Sequence, residues 1–220
     1  MLIIIVYPPK KIKVIKYIFL SNTPQATIKE MRKIPKICLY GLVLLLVLVL
    51  SSFSRPRYYD FLPTLDIFYD NSEAAVVKRL SSRRTPEDEA FYQTTDITVS
   101  DAFAPHCEGD LSVEDLEDIT LRPHVVWTIK FLKYLINRPR PYQVDATIDN
   151  LPSETGHTAA LPAGHACQAY YLAKVLGRRY PEKKDLFFRV AKRCDDARVI
   201  AGIHYPSDGR LSKILARILP

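Results

Sequence analysis

From Ala197 to Asp208 the chain reads Ala-Arg-Val-Ile-Ala-Gly-Ile-His-Tyr-Pro-Ser-Asp, so Arg198, His204 and Asp208 bring a guanidinium, an imidazole and a carboxylate into eleven residues. A carboxylate four positions after a histidine can hold one ring N–H. It thereby fixes the tautomer and stabilises the positive charge that develops when the other nitrogen attacks an electrophile. Taken alone, such a stretch fits a solvated surface equally well. Two earlier stretches add to it. Pro162-Ala163-Gly164-His165 sets a second histidine just after a glycine, and Lys133 and Arg140 stand seven positions apart in Lys-Tyr-Leu-Ile-Asn-Arg-Pro-Arg-Pro. The set amounts to three cations, two histidines and one carboxylate, which suits phosphoryl transfer without a metal. Lys133, Arg140 and Arg198 would neutralise the nonbridging oxygens, with the Gly164 N–H as a further donor. His204, held by Asp208, would attack phosphorus. His165 would protonate the leaving oxygen and then activate water.

These residues need helices to position them. Apolar spacing predicts a helix over about 125–136, ended by Arg138-Pro139-Arg140-Pro141 because each proline disfavours helix in the residue before it. Lys133 then lies one turn above that end and Arg140 in its extended exit. Residues 143–161 show no apolar periodicity and read as a loop, with His157 as a loop histidine. Gly164 and His165 open a helix over 166–176, ended by Gly177, whose N-terminus is a ready anion site. A helix over 183–203 carries Leu186, Val190, Cys194, Ala197 and Ala201 on one stripe, with Arg198 beside it. Gly202 turns the chain into His204, and 210–219 closes as an amphipathic helix. Upstream, helices are expected over 73–80, from Thr85-Pro86 with Ala90, Phe91 and Tyr92 inward, and from Ser112.

The three motifs, in this order, resemble the type 2 phosphatidic acid phosphatase superfamily, which also holds the class A acid phosphatases and the vanadium haloperoxidases. That family's pattern is K-x6-R-P, P-S-G-H and S-R-x5-H-x3-D. Here Lys133 to Pro141 matches the first, Pro162 to His165 the second, and Ala197 to Asp208 the third. Ala163 and Ala197 stand where the family has serines. The resemblance spans roughly Val99 to Ser212, about half of the chain. It implies the roles given above at the same positions, a phosphohistidine on His204, and no cofactor, although vanadate could occupy the phosphate site. A serine missing at Ala163 removes a hydrogen bond to the phosphate worth about 1.5–3 kcal/mol.

The net charge of +7 is local. Residues 1–36 hold eight Lys/Arg and one acid, which leaves 23 basic and 23 acidic residues beyond them, so no nucleic-acid-binding face is implied. The arm runs into the uncharged stretch 37–54, a helix of about 27 Å against a hydrocarbon core of about 30 Å. The flanking charges place the arm in the cytoplasm and the domain on the non-cytoplasmic side, as a single-pass membrane protein. A cleaved signal segment, giving a secreted or periplasmic protein, is the alternative, and Met31 is an alternative start. Cys107, Cys167 and Cys194 make no C-x2-C pair, so a zinc site is not expected, while one bridge among the three is left open.

The resulting expectation is an all-α, compact helical bundle of the acid phosphatase/vanadium haloperoxidase type with one N-terminal membrane segment. Its parts are a basic arm 1–36, a transmembrane or signal segment 37–54, a linker with leading helices 55–98, and a catalytic domain 99–220. The expected substrate is a phosphomonoester, lipid or small and soluble. A vanadate-dependent haloperoxidase and a membrane-tethered phosphate-binding module without turnover are the competing readings.

Overall fold

The computed structural model describes residues 71–107 and 109–220. The basic arm, the apolar run 37–54 and residues 55–70 of the linker lie outside the described residues.

Nine α-helices and no strand occur among the described residues: α1 Ala74–Ser81, α2 Pro86–Ile97, α3 Ser100–Phe103, α4 Val113–Thr120, α5 Pro123–Ile136, α6 Pro141–Val144, α7 Gly164–Arg179, α8 Lys184–Ile200 and α9 Pro206–Ile218. The all-α expectation holds for this part of the chain. None of these helices is long and apolar enough to cross a membrane.

Local chemistry sets the boundaries. Thr85 caps α2, its hydroxyl accepting from the Asp88 N–H at 3.2 Å while the Asp88 carboxylate takes the Thr85 N–H at 3.0 Å, with Pro86 at the first helical position. Ser112 and Asp115 repeat the arrangement at α4. Helix α5 stops at Asn137, left-handed at φ 49°, a conformation that asparagine tolerates better than most residues. Arg138 and Arg140 follow in the extended exit that their prolines impose.

Helix α7 is the axis of the domain, packed along α8 and α9. Leu116, Phe103, Tyr171, Leu172, Leu176 and Phe187 are fully buried around it. Each large apolar side chain so buried contributes roughly 1.5–3 kcal/mol. Its small residues Ala166, Ala169 and Ala173 admit close neighbours.

Four details differ from the sequence reading. Ala90 faces solvent, while Tyr92 and Thr95 form the buried face of α2. Gly177 lies inside α7, where a Cβ would come 3.0 Å from Lys184 Cγ, so it serves the approach of α8 rather than ending the helix. Cys194, Ala197 and Ala201 are buried as expected, but Phe187 and Ala191 take the places expected for Leu186 and Val190, and Arg198 joins the buried face of α8. The loop after α5 begins with the short helix α6. Cys107, Cys167 and Cys194 are buried free thiols, so the bridge left open among them is not formed.

Candidate active site

Helix α8 ends at Ala201, and Gly202 reverses the chain at φ +78°. A Cβ there would meet Asn150 Cα at 3.0 Å and Asp149 O at 3.1 Å, so only glycine fits both the conformation and the space. The turn delivers His204 just before α9, and Asp208 sits in the first turn of that helix. His204 Nδ1 lies 3.0 Å from Asp208 Oδ2, which also takes the Tyr205 N–H at 2.9 Å. On the other side of the ring, Nε2 faces Arg140 Nη1 at 3.0 Å. An ionised carboxylate only accepts and a guanidinium only donates, so the two partners agree on one tautomer: proton on Nδ1, lone pair on Nε2. Burial, then the charges of Arg140 and Lys133, holds His204 well below the usual histidine range and therefore neutral.

Arg140 is fixed before any ligand arrives. Its Nε donates to Thr158 O at 2.8 Å, Nη1 to Ile203 O at 2.9 Å, and Nη2 to Thr155 O at 3.0 Å and Thr158 Oγ1 at 2.9 Å. Lys133, on the buried face of α5, donates to the carbonyl of Ala159, and burial pushes its pKa well below that of an exposed lysine. The loop before α7 thus supplies carbonyls that aim both cations.

Gly164 opens α7, with Ala163 at the N-cap making no side-chain bond to the helix. His165 follows, and its Nε2 lies 2.9 Å from the backbone oxygen of Asp96. A carbonyl only accepts, so Nε2 carries the proton and Nδ1 the lone pair. Burial, reinforced by the Arg198 charge, pushes His165 down to about 3.

Lys133, Arg140, Gly164, His165 and His204 line one cavity of about 620 Å³. Leu121, Val126 and Ile129 give it an apolar wall, and Glu154, Thr155 and His157 a polar one. His157, read from the sequence as a loop histidine, is an exposed residue of that polar wall. Asp208 stands behind His204 and is completely buried.

Arg198 departs from the expectation that it faces the cavity. It is absent from the cavity wall, and Nη1 donates to Asp96 Oδ1 at 2.8 Å while Nη2 reaches Thr95 Oγ1 and, at 3.4 Å, Tyr92 O. Its guanidinium lies over the Tyr92 ring, 4.4 Å from the centroid.

Two residues escaped the sequence reading. Asp96 holds both Arg198 and His165, and it also takes Ser153 Oγ at 3.0 Å. No spacing signals it, since it stands 69 and 102 residues from its partners. Arg138 is fully buried and donates to Asp208 Oδ1 at 2.6 Å. Its signal was present in Arg-Pro-Arg-Pro, because side chains two apart in extended backbone leave on one side and can reach different atoms of one target.

Residues 124–219, which contain every residue of the cavity named here except Leu121, match the family model described as PAP2 superfamily. The PAP2 superfamily is the family that the three motifs resemble, and the match supports a phosphatase-like or haloperoxidase-like function. A search of curated proteins finds no match to the chain. Asp96 and the helices before residue 124 lie outside the matched PAP2 segment, yet Asp96 in α2 meets His165 of the motif. Among the described residues, no group of three or more His, Cys, Asp or Glu side chains is placed to hold a metal ion.

Proposed function

We propose that the chain is a phosphomonoesterase that needs no metal, with a fold of the acid phosphatase/vanadium haloperoxidase type, acting through a phosphohistidine on His204. The observation that carries this reading is the placement of His204, whose Nδ1 lies 3.0 Å from Asp208 Oδ2 while the residue lines the cavity with Lys133 and Arg140. A buried, neutral imidazole with one nitrogen so held is a nucleophile ready at neutral pH.

In the proposed reaction, Arg140 Nη1 passes from His204 Nε2 to an incoming phosphoryl oxygen. Lys133 and the Gly164 N–H take other oxygens, and Arg198 joins them on release from Asp96. His204 Nε2 then forms a bond to phosphorus as the ester P–O bond breaks. The leaving oxygen takes its proton from His165. With Nε2–H engaged by Asp96, the nitrogen of His165 that exchanges protons is Nδ1. His165 is neutral in the ligand-free protein, and the negative charge of the phosphate raises its proton affinity when substrate enters. Water, losing a proton to His165, breaks the P–N bond and restores His204.

The cavity exceeds a phosphate group and has one apolar wall, so both a lipid phosphate and a soluble monoester fit this chemistry. Vanadate, an oxyanion of similar shape, would take the same place. We propose in addition a single-pass membrane location through residues 37–54, which alkaline extraction of membranes would check.

The test is hydrolysis of a generic phosphomonoester by the full chain beside His204→Ala, with and without EDTA and orthovanadate. Turnover that resists EDTA, falls with vanadate and disappears in the variant is expected. Undiminished turnover in His204→Ala would remove the histidine from the reaction.

A further inference from the structure

Behind the nucleophilic pair, a second guanidinium completes a buried line of charge. Asp208 uses Oδ2 for His204 and for the Tyr205 N–H, and Oδ1 for Arg138 at 2.6 Å. Neither Arg138 nor Asp208 exposes any surface. Arg138 also donates from Nη1 to Ser207 Oγ at 2.6 Å, and its guanidinium stacks 3.6 Å from the centroid of the Tyr205 ring. Glu73, at the start of the described chain, lies 3.7 Å from Arg138 Nη2 and accepts the Ser207 N–H at 3.1 Å and Arg210 Nη2 at 2.6 Å.

We propose that Arg138 is a positioning residue: by donating to Oδ1 it keeps Asp208 ionised, and so keeps the proton of His204 on Nδ1 and the lone pair on Nε2. This deepens the proposed phosphatase reading and rests on His204 as its nucleophile. The argument is electrostatic. A carboxylate with no access to water favours its neutral form, and burial does push Asp208 upward, with Arg138 the foremost charge opposing it. The charged and titratable groups around Asp208 are few. Arg138 and Arg140 come from the α5–α6 connection, Lys133 from α5, His204 from the turn before α9, and Asp195 from α8, while Glu73 stands behind Arg138. Lys133 is itself held toward its neutral form by burial. Arg138 and Arg140 both keep their protons, but Arg140 meets the pair at the histidine end, so Arg138 is the permanent cation in direct contact with the carboxylate.

Without that charge, Asp208 binds a proton, and with that proton on Oδ2 it becomes a donor to Nδ1 of His204. The ring must then carry its proton on Nε2, facing the cavity, and the nucleophilic lone pair is lost. The two arginines of Arg138-Pro139-Arg140 therefore act on the two ends of one hydrogen-bonded pair. Arg140 meets the histidine end at 3.0 Å and Arg138 the carboxylate end at 2.6 Å.

The test combines pH–rate profiles with nitrogen-15 NMR of the histidine rings in the full-length chain, His204 being assigned by comparison with His204→Gln. Arg138→Met is expected to move the acid limb of kcat/KM upward by about one pH unit or more, with the rate recovering at alkaline pH. The His204 ring should carry its proton on Nε2 at neutral pH. Arg138→Lys, which keeps the charge, should shift the limb less and restore most of the neutral-pH rate. Combining Arg138→Met with Asp208→Asn should slow the enzyme no further than Asp208→Asn alone. If Arg138→Met does not fold, Arg138→Gln carries the same expectation. An equal loss at every pH with the tautomer unchanged, or fully additive losses, would overturn the proposal. The NMR arm needs no turnover, so an inactive wild type whose tautomer still changes with Arg138 would sink the phosphatase reading and leave the positioning role standing.

Discussion

Asp96 Oδ1 and Arg198 Nη1 meet at 2.8 Å, with the arginine side chain wholly buried and the aspartate side chain 13% exposed. The backbone oxygen of the same aspartate takes His165 Nε2 at 2.9 Å. One residue at the end of α2 therefore engages a cation proposed for phosphate and the histidine proposed as acid. It does so with a carboxylate, an anion that competes for the same guanidinium.

Asp96→Asn leaves the Arg198 charge buried without its counter-ion, a change that costs about 3–5 kcal/mol for pairs removed from water. The variant should melt at a lower temperature than the wild type and gain more than the wild type from added inorganic phosphate, which replaces the lost anion. Equal gains by differential scanning fluorimetry would show that Arg198 does not reach the phosphate.

His165 makes the protein acid-sensitive in a defined window. Its folded-state value of about 3 lies below the ordinary value of 6.5, so between these limits the unfolded chain binds a proton that the folded one does not. That contribution to stability is complete above pH 6.5 and is lost as pH falls toward 3, at up to about 1.4 kcal/mol per pH unit. His165→Gln should flatten this part of the urea midpoint against pH curve, and an unchanged slope would contradict the burial argument.

Ala163 occupies the N-cap of α7, is fully buried and supplies no side-chain bond. Ala163→Ser should add about 0.5–2 kcal/mol as a cap. It should also raise kcat/KM by roughly tenfold or more through one further donor to the phosphate. Melting temperature and kinetics read the two effects separately, and a stabilised enzyme with unchanged kinetics would confine the serine to capping.

Gly202→Ala places a methyl group 3.0 Å from Asn150 Cα and 3.1 Å from Asp149 O in backbone at φ +78°. The turn that presents His204 should shift, with a loss of more than about 1 kcal/mol in stability and a fall in kcat larger than any change in KM. A fully active variant would show that the turn yields without moving the imidazole.

The helices were largely legible because their caps are local chemistry: Thr85 with Asp88, Ser112 with Asp115, and the prolines after Ile136 all act within a few residues. The placement of Lys133, Arg140, Gly164, His165 and His204 on one cavity was legible too, through motif spacing. Asp96 was not, since its link to Arg198 is a tertiary contact with no sequence period. Gly177 misled because a glycine near a helix end reads as a terminator, whereas here the deciding constraint is Lys184 on the neighbouring helix. On α8 the expected Cys194, Ala197 and Ala201 are buried, while Arg198, a charged group that apolar periodicity does not count, belongs to the same buried face.

The stretch Arg138-Pro139-Arg140-Pro141 behaves as a ruler. Each proline ring locks one backbone torsion, so the course of the chain past the two arginines is narrowed by covalent geometry before hydrogen bonds fix their guanidiniums. Deleting or inserting a single residue there would deliver each arginine to the wrong atom, however well the rest of the domain folded. Length variation among related chains should accordingly be nil in these four residues.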